Sequence, residues 1–403
     1  MSKNRLLFIS ANRNVEPYPV YPLGISYLTT YLYARLPETE IRIIDLNLES
    51  VDSLKKTLAD YKPHYTGISL RNVDDANSAV QECYFEDYRE LVDTVRKYTE
   101  SVIIIGGAGF SIFPERFYRI LSPDFGITGE GEESLLQLLR CLAGNRDFTQ
   151  IEGLVYSADG KIRINKRTRY LKELDLEFPD SLVAYYWVHG GMLNMQTKRG
   201  CPFHCVYCSY PVIEGHIVRT LDADKIVSTL RNLSERMNIN YVFFTDSVFN
   251  ICREYNRKLA EKIIEAGLSV KWGAYFSPHN LDMDTLKLLQ DAGLRHIEFG
   301  TESIAEATLK SYRKPFSVDD ILSASDNCNR LGIYYAHFLI LAGLGETDET
   351  IDETFKNSKK INNSVFFPYI GMRIYPGTLL YEAAVKEGVI SSDDDLLVPK
   401  YYI

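Results

Sequence analysis

Short apolar runs alternate with longer amphipathic stretches along the first 145 residues. Runs rich in Ile, Val, Leu and Phe are typical of buried strands, whereas apolar residues spaced three or four apart predict helices. Such regular alternation predicts a doubly wound, Rossmann-like α/β domain with a parallel sheet. The predicted strands are Arg5–Ser10, Ile41–Leu46, Tyr65–Leu70, Val102–Ile105 and Asp124–Thr128, and the predicted helices are Gly24–Ala34, Val51–Tyr61, Asp87–Tyr98 and Glu115–Leu121.

The same rhythm returns from about residue 191. It predicts a partial (β/α)6 barrel of the TIM type, in which functional groups lie at the carboxyl ends of the strands. Residues 146–190 between the two regions predict a linker that contains a hairpin, with Asp159 and Gly160 at its turn. We therefore divide the chain into 1–145, 146–190 and 191–403. The predicted barrel strands are Leu193–Thr197, Asn240–Thr245, Val270–Tyr275, His296–Gly300, Tyr335–Leu341 and Phe367–Arg373, and the clearest helices are Ala223–Met237, Tyr255–Ala266 and Val318–Leu331.

Length and composition narrow the function classes. A chain of 403 residues exceeds one ordinary core, which agrees with two domains. The net charge of −9 gives no basic surface for nucleic acid, and no apolar run is long enough to span a bilayer. Seven cysteines without regular spacing predict a reducing, cytoplasmic environment. The chain ends soon after the last predicted strand, and the sequence does not decide whether a C-terminal extension with substrate contacts is missing.

Three cysteines form the most specific motif. Cys201, Cys205 and Cys208 follow the first predicted barrel strand with the spacing CxxxCxxC. Three thiolates can hold three irons of a 4Fe–4S cluster and leave the fourth iron open for a ligand. A structural zinc site needs four protein ligands, and no fourth cysteine lies at zinc-ribbon spacing. His204 within the loop leaves a structural metal site as the alternative.

This motif, with the aromatic Tyr207 before its last cysteine, resembles the signature of the radical S-adenosylmethionine (SAM) superfamily. The resemblance implies cluster ligation by the three cysteines. It also implies that polar and glycine residues after the later strands contact SAM. Asp246 and Glu302 have an alternative interpretation as helix caps. The implied SAM-binding residues are Tyr207, Thr245, Asp246, Ser247, Glu302, Ser303, Gly343 and Gly345.

The loops after the strands of the first half resemble the cobalamin-binding domain that precedes the barrel in one large class of radical SAM enzymes. Glycines in such loops let backbone approach a ligand, but they also simply close tight turns. No DxHxxG motif is present, so the resemblance implies cobalamin without a histidine ligand. A domain that kept the fold and lost the ligand is the alternative. The implied cobalamin-binding residues are Tyr21, Pro22, Leu23, Gly24, Ser69, Leu70, Arg71, Asn72, Gly106, Gly107, Gly109, Ser111, Gly129, Glu130, Gly131 and Glu132.

The resemblance implies a radical SAM enzyme that cleaves SAM reductively with a 4Fe–4S cluster. With cobalamin it would alkylate, most often methylate, an unactivated carbon or phosphorus of a small molecule or lipid precursor. The implied electron donor is a flavodoxin or ferredoxin. Cobalamin-free chemistry remains an alternative: 3-amino-3-carboxypropyl transfer, ring formation or rearrangement. A non-enzymatic cobalamin or metal sensor is another. The sequence identifies neither the substrate nor the catalytic residues.

Overall fold

The computed structural model describes residues 4–144 and 147–403. Contacts between Cα atoms divide the chain into two compact units. The first comprises the described residues up to Asp75 together with Glu82–Gly191 and Val212–Glu214. The second comprises Ala76–Gln81, Met192–Pro211 and Gly215–Ile403. Among the described helices, none combines the length and apolarity needed to cross a bilayer.

The first unit contains a seven-stranded sheet in the order β2-β1-β3-β4-β5-β6-β7. Strands β1 to β5 are parallel, which confirms the predicted doubly wound arrangement. The strands are β1 (Asn4–Ser10), β2 (Thr39–Asp45), β3 (Tyr65–Ser69), β4 (Val102–Gly106), β5 (Phe125–Ile127), β6 (Leu154–Ala158) and β7 (Lys161–Ile164). The helices are α1 (Leu23–Arg35), α2 (Val51–Tyr61), α3 (Phe85–Tyr98), α4 (Ala108–Ile112), α5 (Pro114–Leu121), α6 (Glu132–Ala143) and α7 (Asp180–Gly190).

The position of β1 fixes where this sheet can bind a ligand. Leu6, Leu7 and Ile9 are fully buried, as expected for a central strand covered on both faces. The strand pairs with β2 on one side and with β3 on the other, so the chain leaves β1 and β3 in opposite directions. Such a reversal opens a crevice outside the carboxyl ends of the two strands, where doubly wound sheets bind ligands.

Two features between Phe125 and Gly190 differ from the prediction. The hairpin of β6 and β7, expected within a linker, pairs antiparallel with β5 and forms the edge of the first sheet. Its turn does contain Asp159 and Gly160, both with positive φ angles (52° and 70°). The sequence analysis missed α7, because its run of aromatic and apolar residues lacks a polar stripe at helical spacing.

The second unit is built on a parallel six-stranded sheet in the order β15-β14-β13-β12-β11-β8. Within the described residues β8 and β15 each pair on one side only, so this is an open, partial barrel. The strands of the unit are β8 (Leu193–Met195), β9 (Lys198–Arg199), β10 (Arg219–Thr220), β11 (Tyr241–Phe244), β12 (Lys271–Phe276), β13 (Leu294–Glu302), β14 (Tyr334–Leu341), β15 (Val365–Ile370), β16 (Met372–Arg373) and β17 (Tyr401–Tyr402).

Helices cover one face of this sheet. Phe299, His337 and Phe366 lie on that face with nearly parallel rings, next to α11 and α13. The predicted strand Phe367–Arg373 is interrupted at Gly371, whose φ of +79° ends β15 and separates it from β16. The helices from Tyr210 onward are α8 (Tyr210–Glu214), α9 (Ala223–Met237), α10 (Arg253–Glu265), α11 (Met283–Asp291), α12 (Glu306–Ser311), α13 (Val318–Leu331), α14 (Asp348–Ser358) and α15 (Leu379–Lys386), and Phe249–Ile251 form a short 3-10 turn.

Candidate functional site

The cysteine loop follows β8 and β9 at the carboxyl end of the second sheet. Gly200 precedes it with a φ of +88°, and an added Cβ would lie 2.2 Å from the carbonyl oxygen of Ile217, so only glycine fits. Two predicted SAM-binding residues hold this segment. The amide of Thr245 donates to the Met195 carbonyl at 2.7 Å, and the Ser247 hydroxyl donates to the Gly200 carbonyl at 3.2 Å. The end of β11 therefore fixes the entry into the loop.

Asp246, the third predicted residue of this stretch, is fully buried in a polar network. Its carboxylate accepts hydrogen bonds from the amide and hydroxyl of Thr197 and from the amide of Lys198. The Lys198 ammonium, 1 % exposed, lies 2.8 Å from Oδ2 and also donates to the Phe249 carbonyl at 2.9 Å. A carboxylate with four donors has little capacity left for a ligand. Its predicted contact with SAM stays a prediction.

The three thiols lie close enough to influence one another. Burial raises the pKa of Cys205, and it raises the pKa of Cys208 to about 12. In both cases the neighbouring cysteines add to this effect, whereas the Lys314 ammonium opposes it. Among the described residues, no three Cys, His, Asp or Glu side chains converge on one point as a single metal ion requires. A cluster that gives each thiolate its own iron is compatible with that spacing.

His204, the alternative fourth ligand, does not close the site. Its exposed ring stacks on His216 with 4.6 Å between ring centroids and 12° between ring planes. The geometry therefore gives the structural zinc interpretation no fourth donor at the cysteines, and it leaves three thiols on the loop.

A buried polar triad lies beside the thiols. The Tyr207 hydroxyl donates to Glu302 Oε1 at 2.6 Å, and the Lys314 ammonium lies 3.1 Å from the same oxygen. Burial disfavours the Lys314 charge, but Glu302 and the thiols of Cys205 and Cys208 outweigh it and raise the pKa of the ammonium. The structure thus brings two predicted SAM-binding residues, Tyr207 and Glu302, into direct contact. It also adds a cation that the sequence analysis missed.

Backbone geometry and burial distinguish the remaining predicted SAM-binding residues. Glu302 has a φ of +65°, which is uncommon for a residue with a Cβ and clusters at functional sites. Ser303 is fully buried, with its hydroxyl 2.9 Å from that of Thr354. An added Cβ at Gly343 would lie 2.3 Å from the Tyr312 hydroxyl oxygen, and one at Gly345 would lie 2.7 Å from Ser311 Oγ. Both glycines are therefore required by packing within the protein.

In the first unit, the glycine loops pack against one another. An added Cβ at Gly107 would lie 2.4 Å from the Leu70 carbonyl oxygen, and one at Gly109 would lie 3.0 Å from that of Asn72. The Ser111 hydroxyl donates to the Gly107 carbonyl and accepts from the Gly129 amide, both at 2.8 Å. Close approach between loops therefore accounts for these glycines without a ligand.

Other side chains in the predicted cobalamin region support the loop after β5. Arg167 donates to the carbonyls of Thr128 and Glu130 at 2.9 and 2.6 Å. Glu130 Oε2 accepts from the Leu171 amide at 2.9 Å. Burial lowers the pKa of Arg167. Arg167 and Leu171, which follow the hairpin, thus hold the loop at Thr128 and Glu130.

The loop after β1 contains one buried and one open position. The Tyr21 ring is 2 % exposed and packs on Phe178 and Tyr186, so it supports the loop from inside the core. Gly24, at the start of α1 after Pro22 and Leu23, has nothing within 4 Å of where a Cβ would lie.

In the loop after β3, Arg71 is exposed, while Ser69 and Asn72 are half-buried. Of the predicted cobalamin-binding residues, Gly24 and Arg71 leave the most room for a ligand.

A cavity of about 270 Å³ lies at the crevice beside β1, lined by residues 11–16 together with Glu82, Tyr84, Asp87 and Tyr88. The sequence analysis selected none of these residues. Asn12 is 7 % exposed, and its Nδ2 is one of the buried polar atoms that have no hydrogen-bond partner in the described chain. An unsatisfied buried donor is costly, so a ligand or water is expected against it.

Residues 195–357 match the radical SAM superfamily, a segment that begins at the end of β8 and contains the cysteine loop, Glu302 and Lys314. The chain contains a radical SAM domain. The predicted family is confirmed, and with it the need for a 4Fe–4S cluster and SAM that membership carries.

Curated relatives of this chain include methyltransferases. It is 25 % identical over 379 residues to an uncharacterized methyltransferase of Pyrococcus horikoshii, which covers 92 % of this chain and 79 % of the relative. It is 22 % identical over 448 residues to the tryptophan 2-C-methyltransferase of Streptomyces laurentii, which covers 93 % of this chain and 74 % of the relative.

Solved structures confirm the predicted fold class. The radical SAM methyltransferase TsrM of Kitasatospora setae, bound to tryptophan and a SAM analogue, superimposes with a TM-score of 0.89 at 21 % identity, covering 97 % of this chain and 79 % of that chain. A second TsrM structure, with cobalamin and a 4Fe–4S cluster bound, gives 0.85 at 22 % identity, covering 96 % and 75 %. At these identities the likeness establishes the fold.

Proposed function

We propose that this radical SAM enzyme uses cobalamin and transfers a methyl group to an unactivated carbon or phosphorus of a small molecule or lipid precursor. One observation carries the radical SAM part: three neighbouring thiols on one loop, next to a buried lysine, without a fourth cysteine or histidine. The fold shared with TsrM, which holds cobalamin and the cluster, and the methyltransferases among its relatives support the cobalamin and methyl parts.

The residues of the second unit fit a cluster and SAM. When bound, the cluster supplies an electron for SAM cleavage, and cobalamin supplies a methyl carrier. Cys201, Cys205 and Cys208 would hold the cluster as thiolates, a state that the Lys314 ammonium favours. Tyr207 and Glu302 would present a ring and a carboxylate to SAM from the same position. Thr245 and Ser247 would hold the loop entry rigid.

The first unit fits one face of cobalamin at the carboxyl ends of its strands. The open space above Gly24 and the exposed Arg71 leave room there, and the unsatisfied Asn12 amide offers a donor to an amide arm. The cavity beside Asn12 is too small for a corrin ring and would hold one of its arms. His64 lies directly before β3, at the end of the sheet opposite this crevice, and its Nδ1 accepts from the Arg5 amide at 2.9 Å.

Metal analysis tests the cluster first. The full chain, purified without oxygen and supplied with iron and sulfide, is expected to bind about four irons. Replacing Cys201, Cys205 and Cys208 together with Ala should abolish that iron. Cys252→Ala, a half-buried cysteine outside the motif, serves as the matched control and should retain it. An iron content unchanged in the triple variant would refute the radical SAM assignment of these cysteines.

A size series at Gly24 tests cobalamin. Hydroxocobalamin offered to the same protein should bind at one cobalt per chain, measured by its visible absorption. Gly24→Ala should retain it, whereas Gly24→Phe should lose it, because the ring would fill space that is now open. Circular dichroism checks that both variants fold. Four irons without cobalt in the wild-type protein would point to cobalamin-free SAM chemistry, and methylthioadenosine as product would indicate aminocarboxypropyl transfer.

The state of the cysteines bears on the cellular compartment and on the proposed partners. No disulfide joins any two of the seven cysteines, all of which lie in the described part of the chain, and this fits a reducing cytoplasm. We propose a reduced flavodoxin or ferredoxin as electron donor and no nucleic-acid partner. Reduction of the cluster by either protein, followed by its electron paramagnetic resonance (EPR) signal, tests the donor. A tight complex with RNA at physiological salt would contradict the proposal that the protein has no nucleic-acid partner.

A further inference from the structure

Helices cover one face of the second sheet. The opposite face carries side chains to which the proposed function assigns no role. In parallel strands, residues paired across the sheet lie on the same face, and so do residues two apart along a strand. Tyr275 pairs with Glu298, and Glu298 pairs with Ala336. Gly300 pairs with Phe338, which in turn pairs with Phe367. We refer to this side, from β11 to β15, as the inner face.

Stacked aromatic rings form a wall on the inner face. The Phe338 ring lies nearly parallel to that of Phe367, with 5.1 Å between centroids and 22° between planes, and to that of Tyr369, at 6.4 Å and 15°. Tyr275 on β12, Phe367 and Tyr369 are each more than a third exposed. Gly300 on β13 and Ala336 on β14 are the small residues beside this wall. Because the rings stack on one another, they leave their edges open, and a planar molecule can pack its face against these edges.

One carboxylate faces this aromatic wall. Glu298 lies two residues before Gly300 on β13, and Gly300 pairs with Phe338. The Cα atoms of Glu298 and Gly300 are therefore roughly 7 Å apart along the strand. Its side chain is 15 % exposed and lies next to His296, with 3.4 Å between Nε2 and Oε1, a contact that is an ion pair only when the imidazole is protonated. His296 in turn is held by the Tyr241 hydroxyl, 3.2 Å from Nδ1.

The pair Tyr241 and His296 explains Gly273. An added Cβ at Gly273 would lie 2.6 Å from the Tyr241 hydroxyl and 2.9 Å from His296 Nδ1. A glycine at this position of β12 therefore leaves the space in which Tyr241 orients His296 toward Glu298. Burial raises the pKa of Glu298 to about 7 and lowers that of His296. The titratable groups facing Glu298 are His296 on its own strand and Tyr275 on β12, while β14 presents Ala336 and Phe338.

We infer that the inner face binds a planar, largely apolar substrate that carries an N–H donor, which packs its face against the ring edges of Phe338 and Phe367 and donates a hydrogen bond to Glu298. This deepens the proposed function and rests on it, because Glu302, four residues further along β13, belongs to the proposed SAM site. A substrate held at Glu298 would lie along the same strand as Glu302. Glu298 is a binding residue in this inference, and His296 is a positioning residue.

Two isosteric probes test the inference on the whole 403-residue chain reconstituted with iron and sulfide. Indole and benzofuran share a planar shape, but only indole has an N–H donor. Equilibrium dialysis at pH 8 should show indole bound about tenfold more tightly, as expected for a hydrogen bond to a charged acceptor. Glu298→Leu should remove this preference, and His296→Phe should reduce it. Phe367→Leu should weaken both probes equally, whereas Phe355→Leu, an exposed ring on α14, should change neither.

The outcomes separate this inference from the proposed function. Iron content and 5′-deoxyadenosine formation from SAM are measured on the same preparations. Equal affinities of indole and benzofuran in the wild-type protein, or no saturable binding of either, would overturn the inference even where the cluster is present and SAM is cleaved. Absence of a cluster would overturn the proposed function whichever probe binds. A preference for indole that falls as the pH is lowered from 8 to 6, where Glu298 becomes protonated, would strengthen the inference.

Discussion

Two buried lysine–carboxylate pairs lie near the cysteine loop, and they differ in how completely their partners are satisfied. Lys198 and Asp246 are 1 % and 0 % exposed, and every polar atom of the pair has protein partners. The side chains of Lys314 and Glu302 are 7 % and 10 % exposed. Tyr207 donates to the same Glu302 oxygen that Lys314 contacts, and the pair lies beside Cys205 and Cys208.

The difference indicates what each pair does. A saturated network stabilises one conformation and has nothing to offer a ligand. A pair with hydrogen-bonding capacity left, next to reactive groups, can interact with a ligand that binds there. We therefore assign Lys198 and Asp246 to the rigidity of the loop entry, and Lys314 and Glu302 to the electrostatics of the site itself.

The largest expected effect comes from removing Lys198. Lys198→Met leaves the Asp246 charge buried without its cation, which should lower the free energy of unfolding by about 3–5 kcal/mol. Lys262→Met removes the lysine of an exposed pair with Asp224 and should change it little. Urea unfolding measures both. Adding Asp246→Asn to Lys198→Met should recover part of the loss, and no recovery would contradict an electrostatic cause.

A smaller loss of stability, with a distinct spectroscopic change, is expected at Lys314. Lys314→Met should cost about 2 kcal/mol, since Tyr207 still satisfies Glu302. Loss of a cation near the cysteines should move the cluster potential to more negative values, on the order of 100 mV, as followed by EPR during a redox titration. Lys314→Arg keeps the charge and should stay near the wild-type potential. An unchanged potential in Lys314→Met would remove this lysine from the site.

Glu298 extends the comparison to a buried carboxylate without a lysine. Its pKa is raised to about 7, so the folded protein holds a proton that the unfolded chain has lost above pH 4.5. Stability should therefore fall as the pH rises from 5 to 8, by about 2 kcal/mol relative to Glu298→Gln, allowing for its partial exposure. The measurement is urea unfolding of both proteins across this range. Parallel pH curves would show that burial does not perturb this carboxyl group.

The smallest effect is expected from Tyr207→Phe. The change removes one hydrogen bond to Glu302, which keeps its ion pair with Lys314, and should cost about 1 kcal/mol. Iron content should stay the same, while SAM binding should weaken if Glu302 is reoriented. Tyr334→Phe, at an exposed tyrosine of β14, is the matched control. Loss of iron in Tyr207→Phe would mean that the triad holds the loop itself.

Local signals explain why many elements could be predicted. The bounds of α9 and α13 agree residue for residue with the prediction, because each helix begins at a capping side chain, Asp222 or Ser317, and ends at a left-handed residue, Asn238 or Gly332. These signals lie within one turn of the helix end and need no tertiary contact. The doubly wound sheet followed in the same way from the regular alternation of strands and helices.

The composition of the site depends on contacts that no local pattern encodes. Lys314 follows a short helix, and nothing in its neighbourhood distinguishes it from a solvated lysine. Its role arises because the fold brings it to Glu302, 12 residues earlier, and to Tyr207, 107 residues earlier. The cavity beside Asn12 likewise joins the loop after β1 with residues 82–88. Motif spacing identified the cysteines, but long-range packing selected their partners.

The hairpin at the edge of the first sheet has a consequence for folding in a crowded cell. A parallel strand such as β5 at a free edge would offer unpaired backbone to other chains, and β6 and β7 cover it. The new edge, β7, is short and carries Lys161 and Arg163, whose charges disfavour pairing with another strand. Because N-terminal domains emerge from the ribosome first, this edge would protect the first sheet from aggregation while the remainder is still being synthesised.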